Sequence, residues 1–267
     1  MLSIPLLKRT VKSNYKLWTT IVVILTLFML LIVGMFSPGL GARVASLMAG
    51  LPTMLLTALG FDMGAVTLTG HLASCLFGFL FLVFPMIYET VTANRLVARQ
   101  VETGRMGSWL STPNPRKKIA TTQAYYLIMS LFVMFLFTTV LGLVCCRLWF
   151  PGELGIPQFM LLNLGAFCLH IFLSGISFLA SCISDDTRTS LMIGAGLPVL
   201  FYLIRMLSNI GGGMEILRFF TVFTLFSPKA IMEGSVQICW SLPLLALAGL
   251  GMYWAGIALF EKRDLPL

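Results

Sequence analysis

The chain has 267 residues, of which 58% are hydrophobic and 10% charged, and its formal net charge is +8. Soluble domains carry roughly 25% charged residues, so this composition excludes an ordinary water-soluble fold and points to lipid as the solvent. The basic residues are confined to particular segments, which makes a nucleic-acid partner an unnecessary reading of the charge.

In chain order, residues 6–16 come first and alternate apolar with basic (Leu6, Leu7, Lys8, Arg9, Val11, Lys12, Lys16). That pattern predicts an amphipathic helix lying on the inner membrane surface. Six apolar runs follow at 17–36, 71–93, 122–148, 159–183, 189–208 and 240–260, each meeting the length of about 20 residues that a helix needs to cross ~30 Å of hydrocarbon. Because the runs are continuous rather than short and alternating, they predict helices and not barrel strands. The first run is too long for a secretory signal and is expected to stay as a span. The outer loop 37–70 has Leu51-Pro52-Thr53-Met54-Leu55-Leu56 in its middle and is expected to fold back against the membrane. Residues 217–231 are apolar but short and broken by Ser227-Pro228, which predicts a re-entrant or interfacial pair of short helices before the sixth span. No repeat, low-complexity tract or soluble domain interrupts the pattern, so 1–267 reads as one membrane domain. Six cysteines without a CxxC pair suggest neither a zinc site nor a disulfide framework.

Lysine and arginine set the orientation. Lys8, Arg9, Lys12 and Lys16 precede the first span, and Arg95, Arg99, Arg105, Arg116, Lys117 and Lys118 fill the loop between spans two and three. Both segments are therefore expected in the cytosol. The remaining odd loops are sparsely charged or balanced, so six crossings leave both termini inside.

The loop 93–119 is the most informative segment. It divides at Gly104 into a continuation of span two and a second piece with Met106, Trp109 and Leu110 at helical spacing, stopped by Pro113 and Pro115. An exposed Met, Trp and Leu cluster rimmed by Arg105, Arg116 and Lys117 has the composition of an interface anchor; the alternative is a helix lying on the lipid surface. The run Glu102-Thr103-Gly104, then Leu110-Ser111-Thr112-Pro113 and the basic Arg116-Lys117-Lys118, resembles the corresponding loop of type-2 permeases of ATP-binding-cassette (ABC) transporters. The Leu-Pro-containing outer loop ending at Gly60, the short inner turn after Ser181 to Ser184 and the closing Phe260-Glu261-Lys262-Arg263-Asp264-Leu265 extend the likeness over nearly the whole chain. Gly104-Arg105-Met106 departs from the family's Gly-Thr-Leu, and Asn114-Pro115 interrupts its basic stretch.

This resemblance implies an all-α membrane permease in which the loop is a coupling helix docking on a separate cytosolic ATPase. It makes Met106, Trp109 and Leu110 the packing anchors, gives Glu102 a basic partner that sets the angle between the two pieces, and makes the turn Asp185-Asp186-Thr187-Arg188 a secondary contact. ATP and magnesium would belong to that partner: the chain has no GxxxxGK[ST] phosphate-binding loop. A second permease copy, or a homologous one, and membrane lipids are the other expected partners. Within the spans, charged groups are scarce. Glu89 reads either as a carboxylate solvated at the cytosolic end of its helix or as part of an inner gate, and His170 either as a hydrogen-bonded packing residue or as a substrate contact. With 16 Met and 21 Phe, the surfaces suit a hydrophobic or amphipathic cargo as well as ordinary packing. An intramembrane enzyme lacks its paired catalytic groups. A non-transporting sensor or immunity subunit that binds an ATPase or peptide is the competing reading.

Overall fold

In the computed structural model, which describes residues 2–37, 50, 52–61, 67–110, 115–211 and 213–263, each of the six expected spans falls, to within a residue, inside one of six helices long and apolar enough to cross a membrane. No strand occurs among the described residues. Residues 38–49, 51 and 62–66 of the loop after the first span, the stretch 111–114 that includes Pro113, residue 212 and the tail from 264 lie outside the described residues.

The first helix, α1, runs Ile4–Met35 over 32 residues, about 48 Å at the usual rise. The expectation of a separate helix on the membrane surface is thus corrected: the amphipathic stretch continues into the first span without a break. Pro5 falls in the first turn, where its missing N–H costs nothing, and no proline follows it in the helix. The N-terminal part is tied to the third span instead. Ser3 N–H donates to Thr122 Oγ1 at 3.0 Å, Thr10 to Gln123 Oε1 at 3.2 Å, and the Trp18 indole to the Ser130 carbonyl at 3.0 Å.

Part of the loop between the first and second spans lies within the described residues. Its short helix α2 (Thr53–Ala58) packs on the fifth span, where Asn209 Nδ2 donates to the Ala58 carbonyl at 3.2 Å. Gly60 then turns at φ +81° and its carbonyl presses on Gly78; a Cβ on Gly78 would sit 3.1 Å from that oxygen. The second span comprises α3 (Leu68–Cys75), a π-helical turn (Leu76–Leu80) and α4 (Phe81–Leu96). Beyond it come α5 (Ala98–Glu102) and α6 (Arg105–Leu110), then the third span α7 (Arg116–Trp149), the fourth α8 (Ile156–Ile183) and the fifth α9 (Thr187–Asn209). Two 3₁₀ turns, Met214–Phe220 and Val222–Leu225, and α10 (Pro228–Met232) lead to the sixth span α11 (Gln237–Lys262).

Helix α8 is the axis of the molecule. Of its most apolar stretch 78% is buried, against 22% for α9 and 28% for α11, because α4, α7, α9 and α11 all pack on it. In lipid, helix association depends on close contact rather than on expulsion of water, and glycines provide it here. A Cβ on Gly249 of α11 would lie 2.6 Å from the Ile171 carbonyl oxygen, and one on Gly175 of α8 2.8 Å from the Gly249 oxygen.

Candidate functional site

Helix α8 carries buried polar residues at 170, 174, 177, 181 and 184, alternately four and three residues apart, so they form one stripe along the helix. Three of them, His170, Ser177 and Ser181, answer an irregularity in a neighbour. Pro85 inside α4 has no N–H to offer the Phe81 carbonyl four residues back, and His170 Nε2 bonds that oxygen at 2.8 Å. Pro198 inside α9 likewise forfeits a bond to the Gly194 carbonyl, which accepts from Ser177 Oγ at 2.7 Å. At Val97, where φ −127° and ψ −71° break the helix between α4 and α5, Ser181 Oγ donates to the Ala93 carbonyl at 2.9 Å and accepts from Ala98 N–H at 3.0 Å. Ser174 Oγ accepts from Tyr253 Oη of α11 at 2.8 Å. Buried backbone groups must find partners, and one helix supplies them for three others.

At one end of this stripe His170 meets Glu89 of α4. Both side chains are wholly buried, with His170 Nδ1 3.1 Å from Glu89 Oε2. This corrects one expectation, since Glu89 is enclosed by protein and not solvated at the helix end. A carbonyl can only accept, so Nε2 must carry the proton that bonds Phe81. The Nδ1–Oε2 contact then holds one further proton, on the imidazole or on the carboxyl, and the pair is net neutral in either arrangement. Glu89 Oε1 is buried without a hydrogen-bond partner. Neither residue lines open space in this conformation.

At the expected cytosolic end, the loop divides as its sequence predicts. Gly104 adopts φ +67° between α5 and α6, with nothing near where a Cβ would be. The residues expected to anchor a partner behave differently from one another. Met106 is 0% exposed and belongs to the chain's own core, so the expectation of an exposed methionine is corrected. Trp109 is half-buried and lies under the Arg9 guanidinium, 5.9 Å from its ring centre. Leu110 ends α6. An apolar face that finds a covering within its own chain has less reason to stay exposed to water.

The acidic residues are engaged as well. Glu102 accepts from the Thr187 hydroxyl rather than pairing with a base, which corrects that expectation and joins α5 to the start of α9. Asn94 Nδ2 donates to the Thr187 carbonyl at 3.0 Å. Asp186 caps α9, accepting from Thr189 N–H at 2.9 Å, and this backbone hydrogen bond holds its carboxyl below the ordinary aspartate value. Asp185 pairs with Arg263, whose guanidinium also bonds the Cys182 and Ser184 carbonyls at 2.9 and 3.0 Å and so caps α8. Arg116 in turn bonds the Arg263 carbonyl. The loop around 102–105 and the turn 185–188, far apart in sequence, thus meet at one end of the bundle. Arg105 and Arg188 are exposed there and make no ion pair among the described residues.

The serines of the stripe carried no expectation from sequence. Their alternating spacing within an apolar helix, and the placement of Pro85 and Pro198 inside neighbouring runs, were the available signals. Comparisons with family models, with curated proteins and with solved structures find no match.

Proposed function

We propose that the chain is a membrane transport subunit driven from the cytosol by a partner that binds where α5, α6 and the turn before α9 converge. Its particular form, on this reading, is the permease of a type-2 ABC exporter in a bacterial plasma membrane, with both termini cytosolic. A separate ATPase binds ATP and magnesium, closes, and pushes on α5 and α6. The cargo is hydrophobic or amphipathic: a peptide, a lipid-like molecule or a drug. A second permease copy or a homologous partner completes the path, with the largely unburied α9 as the face most available to it.

The observation that supports this reading is the continuity between the loop and the membrane core. The Glu102–Thr187 bond ties α5 to α9, and Ser181 ties the break at Val97 to α8. A push at α5 therefore reaches two spans through hydrogen bonds rather than through a slack linker.

The test is reconstitution of the chain in lipid nanodiscs with its candidate ATPase. Arg105→Glu and Arg188→Glu reverse exposed charges without disturbing burial, and each is expected to weaken the complex at least tenfold and to abolish cargo-stimulated hydrolysis. A complex indifferent to both reversals, or cargo efflux unchanged when the ATPase is inactivated, would refute the permease reading.

A further inference from the structure

Between α1, the end of α4, α5 and α6 lies a cavity of about 340 Å³, within the size range of small-ligand sites. Four arginines line it: Arg9, Arg95, Arg99 and Arg105, with Asn14 and Gln123 also on its wall and no carboxylate among the lining residues. None of the four makes an ion pair among the described residues. Arg9 is held in place by its stacking on Trp109. Arg95 is half-buried and the other three are exposed; four like charges brought together by folding repel one another, and an anion between them relieves the repulsion that water leaves. Guanidinium groups offer planar pairs of donors matched to phosphate oxygens.

The height of the cavity in the bundle points to the source of the phosphate. Arg95 lies in the last turn of α4, and Asn14 precedes the apolar run at 17 by about one turn of α1. Where spans end, the headgroup layer begins. We infer that this cavity binds the phosphate of a net-anionic phospholipid, seated between the start of α1 and the elbow formed by α5 and α6. With the N-terminus cytosolic, the lipid belongs to the inner leaflet, whose anionic headgroups attract basic side chains. A headgroup held there braces α1 against the elbow and keeps the four arginines from driving it open. This inference concerns lipid and stands whether or not an ATPase binds.

The test uses full-length protein in a neutral maltoside detergent, with thermal unfolding followed during titration with dioctanoyl phosphatidylglycerol, dioctanoyl phosphatidylcholine or inorganic phosphate. Phosphatidylglycerol is expected to raise the melting temperature saturably. Phosphatidylcholine, whose choline would meet four guanidiniums, is expected to have no such effect. Arg95→Gln combined with Arg99→Gln should raise the half-saturating concentration by on the order of tenfold or more. Lys8→Gln combined with Lys12→Gln, at exposed positions outside the cavity, should leave it within about twofold, because exposed charges away from the bound phosphate are largely screened. The readout is the half-saturating concentration, so a loss of baseline stability in a variant does not imitate the result. Equal responses to the two lipids, or a response that survives the arginine substitutions, would overturn the inference. Stabilisation by inorganic phosphate that removes the phosphatidylglycerol response would show that the cavity takes free phosphate, and would overturn its assignment to lipid.

Discussion

Substituting His170 by alanine should be among the most damaging single changes in the chain, and the damage should depend on Pro85. The imidazole bonds the Phe81 carbonyl through Nε2 and Glu89 through Nδ1, with both residues of the pair wholly buried. Removing it leaves a buried carbonyl unmatched, at about 1–3 kcal/mol. It also leaves the Glu89 carboxyl without a partner on either oxygen, since Oε1 already lacks one; breaking a buried pair from one side costs about 3–5 kcal/mol. A combined loss of about 4–8 kcal/mol is expected, or a melting temperature lowered by roughly 10–30 °C for a chain of this size. Replacing Pro85 with alanine restores an N–H that can bond the Phe81 carbonyl within the helix. The double variant Pro85→Ala, His170→Ala should therefore be less unstable than the sum of the single effects, by about 1–3 kcal/mol. Thermal or denaturant unfolding of all four proteins in one detergent measures the difference. Strict additivity would show that the histidine is not answering the proline, and the account of the stripe would fail.

Other expectations are simpler to test. Gly249→Ala places a Cβ 2.6 Å from a backbone oxygen of α8, an approach neither backbone can tolerate, and should reduce the yield of folded protein sharply, whereas Gly251→Ala, in open space on the same helix, should not. Ser177→Ala leaves the Gly194 carbonyl without its side-chain donor and should cost about 1–2 kcal/mol, read as a lowered melting temperature; Pro198→Ala should recover part of it. The Asp186 carboxyl is held below its ordinary value by its bond to Thr189 N–H, so the charged cap adds stability that is fully present above the ordinary aspartate range and is lost as pH falls through the lowered value. The difference in melting temperature between wild type and Asp186→Asn should accordingly be present at neutral pH and shrink in acid; a difference that grows in acid would contradict the sign. Five cysteines are buried and Cys239, at the start of α11, is exposed. A membrane-impermeant maleimide applied to intact cells should therefore label Cys239, and labelling only after permeabilisation would invert the proposed orientation.

What could be read from sequence and what could not follow from the reach of the forces involved. Apolar runs of about 20 residues are decided locally, by the cost of leaving a backbone polar group unpaired in lipid, so the six spans and the division at Gly104 of the loop between spans two and three were legible without a structure. Local patterning misjudged α1, because an amphipathic stretch and an apolar span join without a break when nothing between them stops a helix. The remaining properties are set by neighbours. Whether Met106 faces water or the core depends on what covers α6, and whether Glu89 is solvated depends on where His170 falls on another helix. The family resemblance implied a basic partner for Glu102, yet Thr187 bonds it because the start of α9 packs beside α5. The serine stripe is the clearest case: a serine in an apolar run has no meaning until a neighbouring proline or helix break leaves a carbonyl within its reach. Only tertiary packing brings the two together, because the bond spans 17 residues in the case of Ser177 and Gly194, and 88 in that of Ser181 and Ala93.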